Sequence, residues 1–200
     1  MKLLVATTNA GKLREFERLL AGQGIELVSL RDLPRAPEVE EDGETYADNA
    51  RKKAMTLARW SGVSALADDS GLEVDALGGA PGVRSARYAG PDQDAAANRH
   101  KMLEALDGVS EDKRTARFKC VIVVARSDGT MLEATGVCEG RIGTAERGSR
   151  GFGYDPLFID ESSGRTLAEL SESDKDAISH RGRATAVLIP RLREFLARQG

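Results

Sequence analysis

The feature that most constrains this chain is a short apolar run that leads through a polar loop into helically spaced apolar residues. The run covers residues 3–6, the loop covers residues 7–11, and the helical spacing lies within residues 13–20. This order predicts a strand, a tight loop and a helix. A second pattern, Ser127-Asp128-Gly129 between two apolar runs, predicts a hairpin. Together they predict an α/β protein with a mixed sheet.

The remaining chain continues the alternation of strands and helices. Further strands are predicted at residues 25–30, 64–67, 118–125, 131–138 and 157–159, helices at 45–59, 92–106 and 183–197, and loops at 31–43, 78–82 and 148–153. Pro190 is expected to kink the last helix. Because no repeat or linker divides the sequence, we predict a single domain over residues 1–200.

Composition narrows the possible partners and the compartment. The chain has 29 Lys and Arg against 32 Asp and Glu, a net charge of −3, which gives no basic surface for nucleic acid. No apolar run approaches the roughly 20 residues of a membrane span, and the opening run is too short for a signal peptide. We therefore expect a cytoplasmic protein that binds neither nucleic acid nor membrane. Cys120 and Cys138 are predicted to be reduced, structural residues.

Lys12 lies in the first turn of the predicted helix, where a cation opposes the helix dipole. A bound phosphate would remove this conflict, because helix N-termini bind anions. Compared with a phosphate-binding Walker A loop, the segment has Ala6 in place of the first glycine and Leu13 in place of the hydroxyl residue. Any Mg²⁺ must then be held by carboxylates elsewhere. The alternative interpretation is a solvated surface lysine after a turn.

Two groups of acids are candidates for holding the metal. One lies in the loop that contains Glu40, and the other is Asp68-Asp69 at the end of a predicted strand. Ligands of open α/β sheets gather at the carboxyl ends of strands, and Mg²⁺ takes one or two carboxylates together with substrate phosphates. The alternatives are a solvated acidic loop and an ordinary acidic turn.

Two further segments carry side chains suited to a purine. Glycines on both sides of Phe152 leave its ring open for stacking on a base, although a core phenylalanine is the alternative. Lys175 precedes His180-Arg181. His180 is a candidate general base, but Arg181 can only donate hydrogen bonds, so the pair suits recognition of carbonyl oxygens better than proton transfer. A surface His-Arg pair without function is the alternative.

These segments, in this order, resemble the inosine/xanthosine triphosphate pyrophosphatase family. The matching stretches are Ala6-Thr7-Thr8-Asn9-Ala10-Gly11-Lys12, Glu40-Glu41-Asp42-Gly43, Leu66-Ala67-Asp68-Asp69-Ser70-Gly71-Leu72, Gly78-Gly79-Ala80-Pro81-Gly82, Ser85-Ala86-Arg87-Tyr88, Gly151-Phe152-Gly153-Tyr154-Asp155-Pro156 and Ile178-Ser179-His180-Arg181-Gly182. They span nearly the whole chain. One departure is Asp48, where the family often has Glu.

The resemblance implies a long curved mixed sheet flanked by helices, in two lobes with a nucleotide cleft between them, and a homodimer. It implies a Mg²⁺ site at Glu40 and Asp69, with Asp69 and Lys53 catalytic. The substrate-binding residues that it implies are Thr7, Thr8, Asn9, Ala10, Gly11, Lys12, Ser70, Phe152, Gly153, Tyr154, Asp155, Lys175, His180 and Arg181.

The implied activity is hydrolysis of ITP, dITP and XTP to the monophosphate and pyrophosphate, by water attack at the α-phosphorus. Selectivity over adenine is expected because Arg181 donates hydrogen bonds to an oxygen at the six-position, whereas adenine presents an amine there. Two other functions remain open at this point. One is a nucleotide-binding regulatory module without turnover, and the other is a nonspecific phosphatase that releases orthophosphate.

Overall fold

The computed structural model describes residues 1–33 and 35–197, so Pro34 of the predicted loop and residues 198–200 lie outside the description. The strands are β1 (Lys2–Val5), β2 (Glu26–Ser29), β3 (Ala65–Val74), β4 (Thr115–Ala125), β5 (Met131–Ile142) and β6 (Phe158–Asp160). The α-helices are α1 (Ala10–Leu19), α2 (Tyr46–Ser61), α3 (Ala95–Ala105), α4 (Glu172–Ile178) and α5 (His180–Ala197). The predicted α/β class is confirmed.

The strands form a mixed sheet in the order β2-β1-β3-β4-β5-β6. β1 is parallel to both β2 and β3, whereas β6 runs antiparallel to β5. Val5 lies beside Leu66, and the next amide, Ala6 N, donates to Leu66 O at 2.7 Å. Because β1 and β3 are parallel in this register, the residues that follow β1 lie next to the residues that follow Leu66 in β3. The loop before α1 is therefore placed next to Asp68 and Asp69.

Two compact units divide the chain. The first comprises Met1–Asp69, Cys120–Gly136 and the described part of Arg181–Gly200. Its strands bury both faces: Leu3, Val5 and Leu66 belong to one core cluster, with α1 and α5. Leu4, Ala6, Ala65 and Ala67 belong to another, with α2. Alternate residues of a strand point to opposite faces, so each strand supplies both clusters.

The second unit comprises Ser70–Lys119 and Val137–His180. Its core contains Met102 and Leu106 from the region of α3, together with Phe118 and Phe158 from the sheet. Met102 and Leu106 are both buried, and the partly buried Leu103 packs against the same cluster.

Two predicted boundaries near the candidate site residues were wrong, and one helix was missed. β3 does not end at Ala67 but continues to Val74, so Asp68 and Asp69 lie inside the strand rather than at its end or in a turn. Turn-like composition is overridden here because both carboxylates have buried partners. α4 was missed although Ser171 accepts a cap hydrogen bond from Asp174 N at 3.1 Å. α5 begins at His180 instead of Arg183 and, as predicted, extends to Ala197 with Pro190 inside it.

Within the described residues, no helix combines the length and the apolar character that crossing a membrane requires.

Both cysteines are free and buried, as predicted for structural residues. Burial also raises the pKa of the Cys120 thiol far above its ordinary value. Because the thiolate is the reactive form, a water-soluble maleimide is expected to modify neither cysteine in the folded protein and both in urea. Mass spectrometry of the two samples measures this. Rapid labelling under native conditions would contradict the buried, protonated state.

Candidate active site

In the first unit, Lys12 lies in the first turn of α1, directly after the loop that follows β1. Asn9 caps α1, since its Oδ1 accepts hydrogen bonds from Gly11 N at 2.8 Å and Lys12 N at 3.1 Å. The Lys12 Nζ atom lies 3.0 Å from Asp68 Oδ2, and only 17% of the Lys12 side chain is exposed. Lys12 is therefore not a solvated surface lysine. The charge conflict predicted for the first helical turn is relieved by a carboxylate of the same chain.

Asp68 is the centre of a buried ion cluster. Arg181 donates to Asp68 Oδ2 from Nη2 at 2.8 Å and from Nε at 3.3 Å, and Arg181 Nη1 also pairs with Glu15. Arg181 is 1% exposed. Burial raises the pKa of Asp68, but the charges of Lys12 and Arg181 outweigh it and hold that pKa far below its ordinary value. Asp68 is therefore ionised and tied to both cations.

Asp69 has a different environment from its neighbour. Asn49 Nδ2 donates to Asp69 Oδ2 at 2.9 Å. Burial raises the pKa of Asp69, and this rise is only partly offset by the charge of Lys12 and the Asn49 hydrogen bond. A carboxylate with a raised pKa is a better proton acceptor than an ordinary aspartate.

The difference between the two aspartates follows from the strand itself. Successive side chains of a strand point to opposite faces. Asp68 shares its face with Leu66, which packs in the cluster of α1 and α5. Asp69 shares its face with Ala67, which packs in the cluster of α2. Adjacent residues thus meet different helices, and Asp69 is placed beside Asn49 of α2.

Lys53 of α2 is the second cation of this unit. Its ammonium group pairs with Glu41 of the acidic loop, while the neighbouring Glu40 is exposed. Burial lowers the pKa of Lys53, and the like charge of Lys12 lowers it further. Lys12 and Lys53 are therefore close enough to repel each other, a repulsion that an anion would relieve.

In the second unit, Asp155 organises the segment around Phe152. Its Oδ2 accepts hydrogen bonds from Phe152 N at 2.7 Å and from Lys175 Nζ at 2.6 Å. The Lys175 ammonium lies 4.8 Å from the centre of the Phe152 ring. Phe152 is half-buried, which differs from the core phenylalanine considered as an alternative. The ring and a hydrogen-bond donor are thus held together.

Other predicted residues of the second unit have structural partners. The Tyr154 side chain is buried, and its hydroxyl donates to Ser85 O at 2.9 Å. Gly153 O accepts from Arg99 Nη1 at 3.0 Å. His180 is buried and stacks on Phe118, with ring centroids 4.7 Å apart. Ser70, the first residue of this unit, is half-buried.

The predicted residues therefore fall into two sets. The first unit contains Thr7, Thr8, Asn9, Ala10, Gly11, Lys12, Glu40, Lys53, Asp69 and Arg181, and the second contains Ser70, Phe152, Gly153, Tyr154, Asp155, Lys175 and His180. Arg181 directly follows His180 in the sequence but belongs to the first unit. The three donor nitrogens of its side chain bind Asp68 and Glu15, because a buried guanidinium requires carboxylate partners.

Sequence analysis missed Glu15 and Asn49, two buried polar residues that contact Arg181 and Asp69. Neither left a clear signal in the spacing, because residues adjacent along a helix, such as Glu15 and Phe16, lie on different faces. A polar residue on a buried helix face indicates a specific partner. Asp48 contacts the residue that caps α2, because its Oδ2 accepts from the hydroxyl of Thr45 at 2.7 Å.

Comparison with known proteins decides the family. A model of the Ham1 family matches residues 3–191. The chain belongs to the Ham1 family. A dITP/XTP pyrophosphatase of Anaeromyxobacter sp. (strain Fw109-5) is 52% identical, with all of each chain covered. The same-named protein of Desulforamulus reducens is 54% identical over 92% of each chain.

Solved structures agree with this assignment. A HAM1 protein from Coxiella burnetii superposes on this Ham1-family chain with a TM-score of 0.87 and 42% identity, covering 97% of this chain and 99% of the other. A nucleoside-triphosphatase/dITP/XTP pyrophosphatase from Mycobacterium abscessus gives a TM-score of 0.76 at 44% identity, covering 95% and 100%. The resemblance stated from the sequence is confirmed.

The ion cluster generates a stability prediction. Arg181→Ala is expected to lower the free energy of unfolding by about 3–5 kcal/mol, because two buried carboxylates lose their partner. Urea denaturation measures the change. Arg193→Ala, which removes an exposed arginine from the same helix, is the control and should change stability little. Equal effects of the two substitutions would show that the cluster contributes no special stability.

Proposed function

We propose that this Ham1-family chain hydrolyses dITP, ITP and XTP to the nucleoside monophosphate and pyrophosphate. The observation that carries the proposal is the grouping of Asp69 with Lys12 and Lys53, both of which act electrostatically on its carboxylate. A proton acceptor beside two cations is the arrangement that water attack on a polyphosphate requires. The names of the relatives, dITP/XTP pyrophosphatase, support the same substrate class.

The triphosphate is assigned to the two lysines and to the loop before α1. Phosphate oxygens would replace Glu41 at Lys53 and would relieve the repulsion between Lys53 and Lys12. Thr8 and Asn9 are exposed at the start of α1, where the helix dipole favours negative charge. The substrate thus neutralises cations that the folded chain has already brought together.

A divalent ion, proposed to be Mg²⁺, fits the donor set. Within the part of the chain that the structure describes, no group of three or more His, Cys, Asp or Glu side chains forms a metal cage. Mg²⁺ does not need one, because it binds one or two carboxylates together with substrate phosphates and water. Glu40 and Asp69 would hold the ion. When bound, it would supply positive charge that stabilises the phosphate oxygens.

Asp69 would accept the proton of the attacking water. The water oxygen forms a bond to the α-phosphorus, and the bond from that phosphorus to the α–β bridging oxygen breaks, so that pyrophosphate leaves. Lys12 and Lys53 balance the charge that develops on the phosphate oxygens.

Base recognition is assigned to the second unit. We propose that Phe152 stacks on the purine and that Lys175, which can only donate hydrogen bonds, faces the six-position oxygen. The side-chain nitrogens of Arg181 already bind carboxylates in the ion cluster. We therefore propose Lys175 as the principal hydrogen-bond donor to the base. Adenine would place an amine against this donor, and a buried unpaired donor costs about 1–3 kcal/mol, or about one to two orders of magnitude in affinity. The proposed base-binding set also includes His180, Asp155 and Ser70.

The proposal also includes assembly as a homodimer in the cytoplasm, which follows from the family resemblance.

Product analysis tests the reaction. Incubation with dITP and Mg²⁺ is expected to release pyrophosphate, whereas a nonspecific phosphatase would release orthophosphate and a regulatory module would bind without release.

Asp69→Asn is expected to lower kcat by about 10²–10⁴-fold, the range for a positioned general base, while nucleotide still binds. Asp112→Asn, at an exposed acid, is the control. Full activity of Asp69→Asn would remove Asp69 from its role.

Substrate comparison tests the donor. Lys175→Met keeps the apolar stem but removes the three N–H donors, so the ratio of kcat/KM for ITP to that for ATP is expected to fall about tenfold or more. Thermal melting must confirm that the variant is folded, because Asp155 loses a buried partner. Lys101→Met, at an exposed lysine of α3, is the control. An unchanged ratio in a folded variant would refute the selectivity argument.

A further inference from the structure

Asn49 is a buried polar residue that the proposed reaction has not used. It lies in the first turn of α2 and is 1% exposed, on the face that carries Ala50, Ala54 and Leu57 into the core. A buried amide without hydrogen-bond partners would destabilise the fold. The partners of the Asn49 amide therefore indicate its role.

The two ends of the Asn49 amide bind different segments. Nδ2 donates to Asp69 Oδ2 at 2.9 Å, and Oδ1 accepts from Gly43 N at 2.7 Å. This orientation is fixed by chemistry, since a carboxylate can only accept and a backbone N–H can only donate. One side chain therefore links β3 to the acidic loop, residues 40–43.

Gly43 allows this link because it has no side chain. A Cβ atom at this position would lie 2.7 Å from Asn49 Oδ1 and 2.9 Å from Asp48 Cβ. Such distances are too short for a carbon atom, so any larger residue would displace either the loop or the amide. The loop is thereby fixed at the residue that follows Glu40, Glu41 and Asp42.

We propose that Asn49 is a positioning residue that holds the Asp69 carboxylate and the acidic loop of Glu40 in a fixed relation, so that both can bind one divalent ion. The inference rests on the proposed function, which assigns Glu40 and Asp69 to that ion. Side chains that orient metal ligands in this way contribute about 10–100-fold to metal affinity or activity. The amide binds neither substrate nor metal itself.

The principal test compares Asn49→Ala with Asn98→Ala. Asn98 is a matched control: it is buried on α3, and its amide makes two hydrogen bonds, to Ala86 O at 2.9 Å and from Ala89 N at 2.6 Å. Both substitutions should lower the melting temperature. Only Asn49→Ala should lower kcat for dITP about tenfold or more, with nucleotide affinity in EDTA unchanged.

A second readout does not depend on turnover. Mn²⁺ is titrated calorimetrically into the protein saturated with the α,β-methylene analogue of dITP, which resists cleavage. Asn49→Ala should weaken Mn²⁺ binding about tenfold or more, whereas Asn98→Ala should not. Gly43→Ala disturbs the loop contact but keeps the Asn49 amide, and it should also weaken Mn²⁺ binding. This variant replaces Asn49→Ala in the test if Asn49→Ala does not fold.

The results distinguish a failure of the positioning role from a failure of the proposed function. An active wild-type protein whose Asn49→Ala and Gly43→Ala variants keep full kcat and Mn²⁺ affinity would overturn the positioning role. A wild-type protein that releases no pyrophosphate from dITP would overturn the proposed function instead.

Discussion

The buried pairing of Asp68 with Lys12 and Arg181 is the interaction on which the first unit depends. Asp68 Oδ2 lies 3.0 Å from Lys12 Nζ and 2.8 Å from Arg181 Nη2. Removing charges from water is costly, so a buried carboxylate persists only where cations and hydrogen bonds compensate it. This requirement joins β3 to the first turn of α1 and to the start of α5, and it sets the position of Lys12.

Because side chains alternate between the two faces of β3, the adjacent residues Asp68 and Asp69 lie in different environments. Asp68 faces α1 and α5 with Leu66, whereas Asp69 faces α2 with Ala67. The strong cations on the first face lower the pKa of Asp68, while burial dominates on the second and raises the pKa of Asp69. A displacement of one residue along the strand would exchange these environments. The register of β3 therefore determines which aspartate has the lowered pKa and which has the raised pKa.

Local patterns predicted the parts of this arrangement that local physics controls. The strand, loop and helix of residues 2–19, the position of Lys12 in the first helical turn, and the hairpin strands β4 and β5 all follow from periodicity and turn chemistry. The continuation of β3 through Asp68-Asp69 does not, because its stabilising partner Arg181 lies 113 residues away. The pairing of Arg181 with Glu15 spans 166 residues. Contacts at such separations leave no trace in short-range spacing.

The two proposed phosphate-binding lysines differ in how firmly the chain holds them. Lys12 pairs with Asp68, whose side chain is 1% exposed, whereas Lys53 pairs with Glu41, whose side chain is 31% exposed. A carboxylate that can return to water is replaced by phosphate at smaller cost than one that would remain buried and unpaired. In the proposed function, substrate binding would therefore exchange the partner of Lys53, next to a Lys12 that keeps its position. The departure of Glu41 from Lys53 would occur in the loop that Gly43 and Asn49 anchor, so the anchor limits how far the neighbouring Glu40 can move.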